Sequence, residues 1–179
     1  MNTRNDSTLS FDLTRKVLER GALMGKLSVE GVKICDTLER KGGELEPGEY
    51  LVVIGRCRLL ARKMPFLLRV PDEDDEAATV EQAEAAVPAM EQAPCAAICQ
   101  RCLEERKGHV MGQLDEVHAL PCQMMQPGNG VFNLRQGGIL VGEAHAPGYM
   151  LKSQEQFLQL YGRIQKAISR GKRVICNIG

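Results

Sequence analysis

Apolar residues recur along this chain in several rhythms, and each rhythm predicts an element. Beyond Ser10, the residues Leu13, Val17 and Leu18 fall at helical spacing, predicting a helix over 11–23 that ends before Gly25. Ser28 reads as the N-cap of a second helix, with Val29, Val32, Cys35 and Leu38 on one face and Gly42-Gly43 as its stop. Cys35 on that face reads as a small buried hydrophobe. After the turn Glu46-Pro47-Gly48, the runs 50–54 and 66–70 are rich in β-formers. Two strands joined by a basic loop are expected there, a helix across 50–63 being the alternative.

The C-terminal third is turn-rich. Segments 131–134 and 139–141 read as short strands around a glycine turn. Ser153 and Gln156 then form a capping box, and Phe157, Leu160, Tyr161, Ile164 and Ile168 make one helical stripe ending at Gly171. Residues 174–178 read as a last strand with Cys176 packed.

Between these regions the pattern disappears. Residues 71–94 hold eight acidic side chains and no basic ones, with Pro71, Pro88 and Pro94 among Ala and Gln, the composition of a linker. The expected fold class is therefore α+β: a small helix/strand N-terminal part over 1–70 with a basic hairpin, an acidic linker over 71–94, and a zinc-stabilised C-terminal α+β part over 95–179. Two helices before a strand pair also suit a winged-helix-like reader, although the second helix carries few side chains suited to base edges.

Composition sharpens this picture in two ways. The 179 residues include no Trp, four Phe and three Tyr, so the core rests on aliphatic residues and Met, and a metal crosslink becomes useful. No apolar run reaches 18 residues, and the polar start lacks a signal-peptide core, which predicts a cytoplasmic protein without a membrane partner.

The formal net charge of zero conceals a split. Outside 71–94 the chain carries 23 basic against 15 acidic side chains, a balance that favours anionic partners. The cations gather in two groups: Arg56, Arg58, Arg62, Lys63 and Arg69 around the hairpin, and Arg163, Lys166, Arg170, Lys172 and Arg173 at the end of the last helix. Cations near a helix C-terminus complement the macrodipole, which accounts for some of the second group.

Specific chemistry concentrates in one stretch. Cys99-x2-Cys102 supplies a two-residue knuckle, and His118-x3-Cys122 supplies a second pair 15 residues later. Four such donors make a tetrahedral zinc site, and seven cysteines in a reducing compartment point to metal rather than disulfides. Pro121 would end the helix on which an H-x3-C pair rides, so Cys95 and His109 are the alternate ligands.

The rival reading is iron–sulfur. Cys95-x3-Cys99-x2-Cys102 resembles the three-cysteine run of radical S-adenosylmethionine enzymes over eight residues, with Arg101 standing where that family has an aromatic. A dithiol redox pair lacks the βαβ setting it needs, and no nucleophile accompanies His145.

The sequence thus predicts a non-enzymatic, zinc-stabilised nucleic-acid-binding protein, or a small subunit of a nucleoprotein complex, with no catalytic residues. The alternatives are an adaptor docking other protein subunits through the acidic segment or the 154–170 helix, and an iron–sulfur or thiol redox enzyme.

Overall fold

A computed structural model describes residues 7–19, 21–57, 62–70, 123–131, 134 and 137–179. They form nine strands and one helix: β1 Thr8–Glu19, β2 Ala22–Val29, β3 Val32–Arg40, β4 Gly48–Cys57, β5 Arg62–Arg69, β6 Met124–Gln126, β7 Gly138–Ala146, β8 Tyr149–Leu151, α1 Ser153–Ser169 and β9 Arg173–Ile178. The strands are ordered β3-β2-β1-β9-β4-β5-β6-β7, and β7 pairs back onto β3. The result is a closed eight-stranded β-barrel, with β8 hanging from β7. Among the described residues, each of the eight barrel strands pairs on both sides, although β5 meets β6 only at Phe66 opposite Met124.

This overturns the expected α+β class with its separate helical and zinc-stabilised parts. Both N-terminal helices are replaced by strands. The register of β1 on β2 shifts between Arg15 and Val17, so a bulge turns an alternating strand into the i, i+4, i+5 spacing of Leu13, Val17 and Leu18. In the second segment, Glu30 (φ 51°) and Gly31 (φ 79°) form the two-residue turn of a β2–β3 hairpin, with Val29 opposite Val32. Cys35 and Leu38 then face opposite sides of the barrel wall, and both are buried. With no N-terminal helices, the winged-helix arrangement is also excluded.

Other expectations meet the structure directly. β4 and β5 are the expected antiparallel pair, from Tyr50 opposite Arg69 to Cys57 opposite Arg62. The helix begins at Ser153 as expected, but Ser153 does not cap it. Lys152 is the N-cap residue at φ 48°, without a side-chain cap. The buried Ser153 hydroxyl instead accepts from the Gly128 N–H at 2.8 Å and donates to the Val141 carbonyl at 2.5 Å. Gly142 permits this docking, since a Cβ there would lie 2.8 Å from the Leu151 carbonyl oxygen.

The core fills the barrel. Phe11 and Leu13 of β1 stand in register with Cys176 and Ile178 of β9, and Cys176 with Tyr50 of β4, all five buried. Phe157, Leu160, Ile164 and Ala167 of α1 join the same cluster. A second small cluster of Ala22, Leu38, Leu134, Leu140 and Met150 packs on another face of the wall.

The strand directions give the barrel two distinct ends. β1, β3, β5 and β9 finish at one end, where β2, β4, β6 and β7 begin. The loop between β3 and β4 lies there, so this is the loop end. α1 connects β8 to β9 at the other, the helix end, and packs against β7, β9 and β5. Val70 and Gln123 both lie at the loop end, and the Gln123 carbonyl accepts from the Leu67 N–H of the adjoining strand at 2.8 Å. Among the described residues, no helix is long and apolar enough to cross a membrane.

Candidate functional site

The helix end gathers the cations that the sequence scatters. β4 runs antiparallel to β9, so Arg56 near the finish of β4, Arg62 and Lys63 at the start of β5, and Arg173 at the start of β9 share this end. Arg163, Lys166 and Arg170 are exposed on α1, and Lys172 follows in the turn into β9. No acidic residue occurs from Gln156 to Arg173. Cations about a hundred positions apart in sequence thus lie at one end of the barrel.

Local structure orients the helix cations. Phe157, Leu160, Ile164 and Ala167 bury one face of α1, which turns Leu158, Arg163, Lys166 and Arg170 to solvent. Helix geometry then fixes the order along the exposed face, because residues four apart stack in a row. The Arg62 guanidinium sits 5.2 Å from the Phe157 ring centroid and ties β5 to the first half of the helix. Among the described residues, Arg163, Lys166 and Arg170 make no ion pair. Glu155, in the first turn of α1, accepts from the Gln159 amide at 3.4 Å, while Glu143 pairs with Lys152 at 3.1 Å and Asp36 with Lys33 at 2.7 Å. Desolvation raises the Tyr161 phenol above its ordinary pKa.

The loop end has the opposite character. Arg15 donates from Nε to one Glu39 oxygen and from Nη2 to the other, both at 2.9 Å, and Nη2 also reaches the Leu45 carbonyl. The hydrogen bond to Glu39 is the largest cause of a raised Arg15 pKa, opposed by burial. Leu45, drawn in by that contact, lines a cavity of about 340 Å³ with Glu46, Tyr50, Arg69, Gln123 and Gly137. Tyr50 donates its hydroxyl to the Glu46 carbonyl at 2.8 Å, and burial raises its pKa. Arg69, grouped by sequence with the cations of the β4–β5 hairpin, lies here and is ion-paired to Glu46. Backbone N–H groups of Glu44 itself, Gly42 and Gly43 hold the Glu44 carboxyl below the ordinary range.

The remaining expected site residues lie elsewhere. Cys95, Cys99, Cys102, His109, His118 and Cys122, and with them the zinc and iron–sulfur readings, fall outside the described residues, as does Arg58. The thiols of Cys35, Cys57 and Cys176 are buried in the barrel. Sequence reasoning found the cations but missed their convergence, as well as the cavity and the Arg15–Glu39 pair. A charged pair separated by 24 positions on strands that are not sequence neighbours has no periodic signature.

No protein-family model, curated protein or solved structure matches this chain.

Proposed function

We propose that this protein binds nucleic acid, with the helix end of the barrel lying against the phosphate backbone. One observation carries the reading: cations of β4–β5 and of α1 and its exit lie at one end of the barrel, and the stretch from Gln156 to Arg173 holds no carboxylate. Neutralising phosphates releases condensed counterions, so such a surface gains affinity without reading bases. Arg163, Lys166, Arg170 and Lys172 are the contacting residues on α1 and its exit, with Lys63 of β5 at the same end of the barrel; the Arg173 guanidinium is largely buried and is not among them. Arg69 plays no part, because it lies at the loop end in an ion pair with Glu46.

In the same reading, the cysteine-rich segment holds a structural zinc through Cys99, Cys102, His118 and Cys122, supported by their spacing. Elemental analysis of protein purified without added metal should give one zinc per chain. Cys95→Ser should retain it, while His118→Ala and Cys122→Ser should lose it.

Binding of a fluorescent oligonucleotide, measured by anisotropy across salt, tests the main reading. With about four phosphates engaged, log affinity should fall against log salt with a slope of roughly −3 to −4. Arg163→Glu combined with Lys166→Glu should weaken binding by at least about tenfold, and Arg69→Glu should leave it unchanged. Absence of binding at low salt, or binding indifferent to salt, would overturn the proposal. Capture of a protein partner that survives nuclease treatment and high salt would favour the adaptor alternative.

A further inference from the structure

Gly162 sits in the middle of α1, on its solvent face. Glycine is among the poorest residues for a helix interior, and it usually earns such a position through packing or a special backbone angle. Neither applies here. A Cβ built at Gly162 would meet nothing within 4 Å, whereas one at Gly142 or Gly25 would strike a carbonyl oxygen 2.8 Å away. Gly162 is also absent from the positions of positive φ. The fold therefore gives no account of this glycine.

Its neighbours supply one. Leu158, Gly162, Lys166 and Arg170 follow each other at four-residue intervals, so they form a single row along the exposed face. Leu158 on one side of the gap is 57% exposed and offers an aliphatic surface to solvent. Lys166 stands on the other side, and Arg163 adjoins on the parallel row with Gln159. A bare stretch of helix backbone between an exposed aliphatic side chain and two cations matches a sugar–phosphate chain, whose ribose is partly apolar and whose phosphates are anionic.

We propose that Gly162 is where the backbone of the bound nucleic acid approaches α1 most closely, with the missing side chain admitting it between Leu158 and Lys166. This inference rests on the nucleic-acid reading above. It also assigns a role to a residue without charge, which electrostatics alone does not predict.

The test uses two substitutions on the full chain that should act oppositely on stability and binding. Gly162→Ala and Gly162→Gln both improve helix propensity at an unobstructed site, so thermal unfolding should shift upward or stay level. Affinity for the same labelled oligonucleotide should fall by about threefold for Ala and about tenfold or more for Gln, with the salt slope nearly unchanged because no cation is removed. Stable variants that bind as tightly as the parent would overturn the inference while leaving the nucleic-acid reading intact. A lowered melting temperature in both variants would assign Gly162 a packing role and overturn it as well. If the parent protein shows no salt-sensitive binding, the reading fails and the inference fails with it.

Discussion

Arg15 on β1 and Glu39 on β3 reach each other across the intervening strand β2 and pair through two parallel hydrogen bonds of 2.9 Å. Glu39 is 1% exposed and Arg15 14%, so the pair is shielded from solvent. Glu39 also accepts from the Leu45 N–H at 3.3 Å, while Arg15 reaches the Leu45 carbonyl. Together the two side chains satisfy both backbone groups of the residue that lines the loop-end cavity. The pair therefore fixes the β3–β4 loop as well as linking strands.

Breaking it on one side leaves a buried charge without its partner. Glu39→Gln or Arg15→Met is expected to cost about 3–5 kcal/mol in urea unfolding. The double substitution Arg15→Met with Glu39→Leu should cost less than the two single losses combined, since neither charge is then stranded. Equal additive losses would show that the pair acts through packing alone.

The Arg62–Phe157 contact makes a separate prediction for the helix end. Because the guanidinium lies 5.2 Å from the ring centroid, a double-mutant cycle with Arg62→Ala and Phe157→Leu should return a coupling of about 0.5–1 kcal/mol. No coupling would mean that Arg62 is available to an anionic ligand rather than committed to holding α1.

Ser153 offers a choice between two roles for one hydroxyl. As a helix cap it would be replaced without loss by Asp, a strong N-cap residue. As the observed bridge from the Gly128 N–H to the Val141 carbonyl, it must both accept and donate. Ser153→Ala should cost about 1–3 kcal/mol. Ser153→Asp should be at least as harmful, because a carboxylate meets the Val141 carbonyl with no proton to give.

The barrel thiols predict an alkaline limit to stability. Burial pushes Cys35 and Cys176 up to about 12 from an ordinary value of 9.0. Each contributes stability that is fully present below pH 9, where the unfolded thiol is protonated, and that is lost as pH rises through the folded value. Within that window each thiol should lower unfolding free energy by about 1.4 kcal/mol per pH unit. A Cys176→Ala variant should therefore lose less stability than the parent between pH 9 and pH 11. Matching pH profiles would refute the shift.

Several features were legible in the sequence. The stripe from Phe157 to Ile168 gave α1 because a helix with one buried face repeats its apolar residues every three or four positions, and the Tyr50 and Phe66 runs gave the β4–β5 pair. Charge segregation was equally plain, since counting requires no geometry. The N-terminal segment has a helical apolar spacing because the β1 bulge and the Glu30-Gly31 turn break the alternation that marks a strand. Ser153 and Gln156 matched a capping box, yet the long-range carbonyl of Val141 competed successfully for the hydroxyl.

The sequence by itself determined which residues are apolar, where charge accumulates and where α1 lies, all of which follow from neighbours within a few positions. Only the tertiary structure decided that β9 inserts between β1 and β4, that the wall closes through β3 and β7, and that two remote groups of cations share one end. Asn177 illustrates the reason: its amide donates to Ser10 at 3.1 Å and to Asp12 at 3.0 Å, partners more than 160 positions away. A barrel is completed by strand edges that must all be paired at once, and that condition belongs to the whole sheet rather than to any segment of the chain.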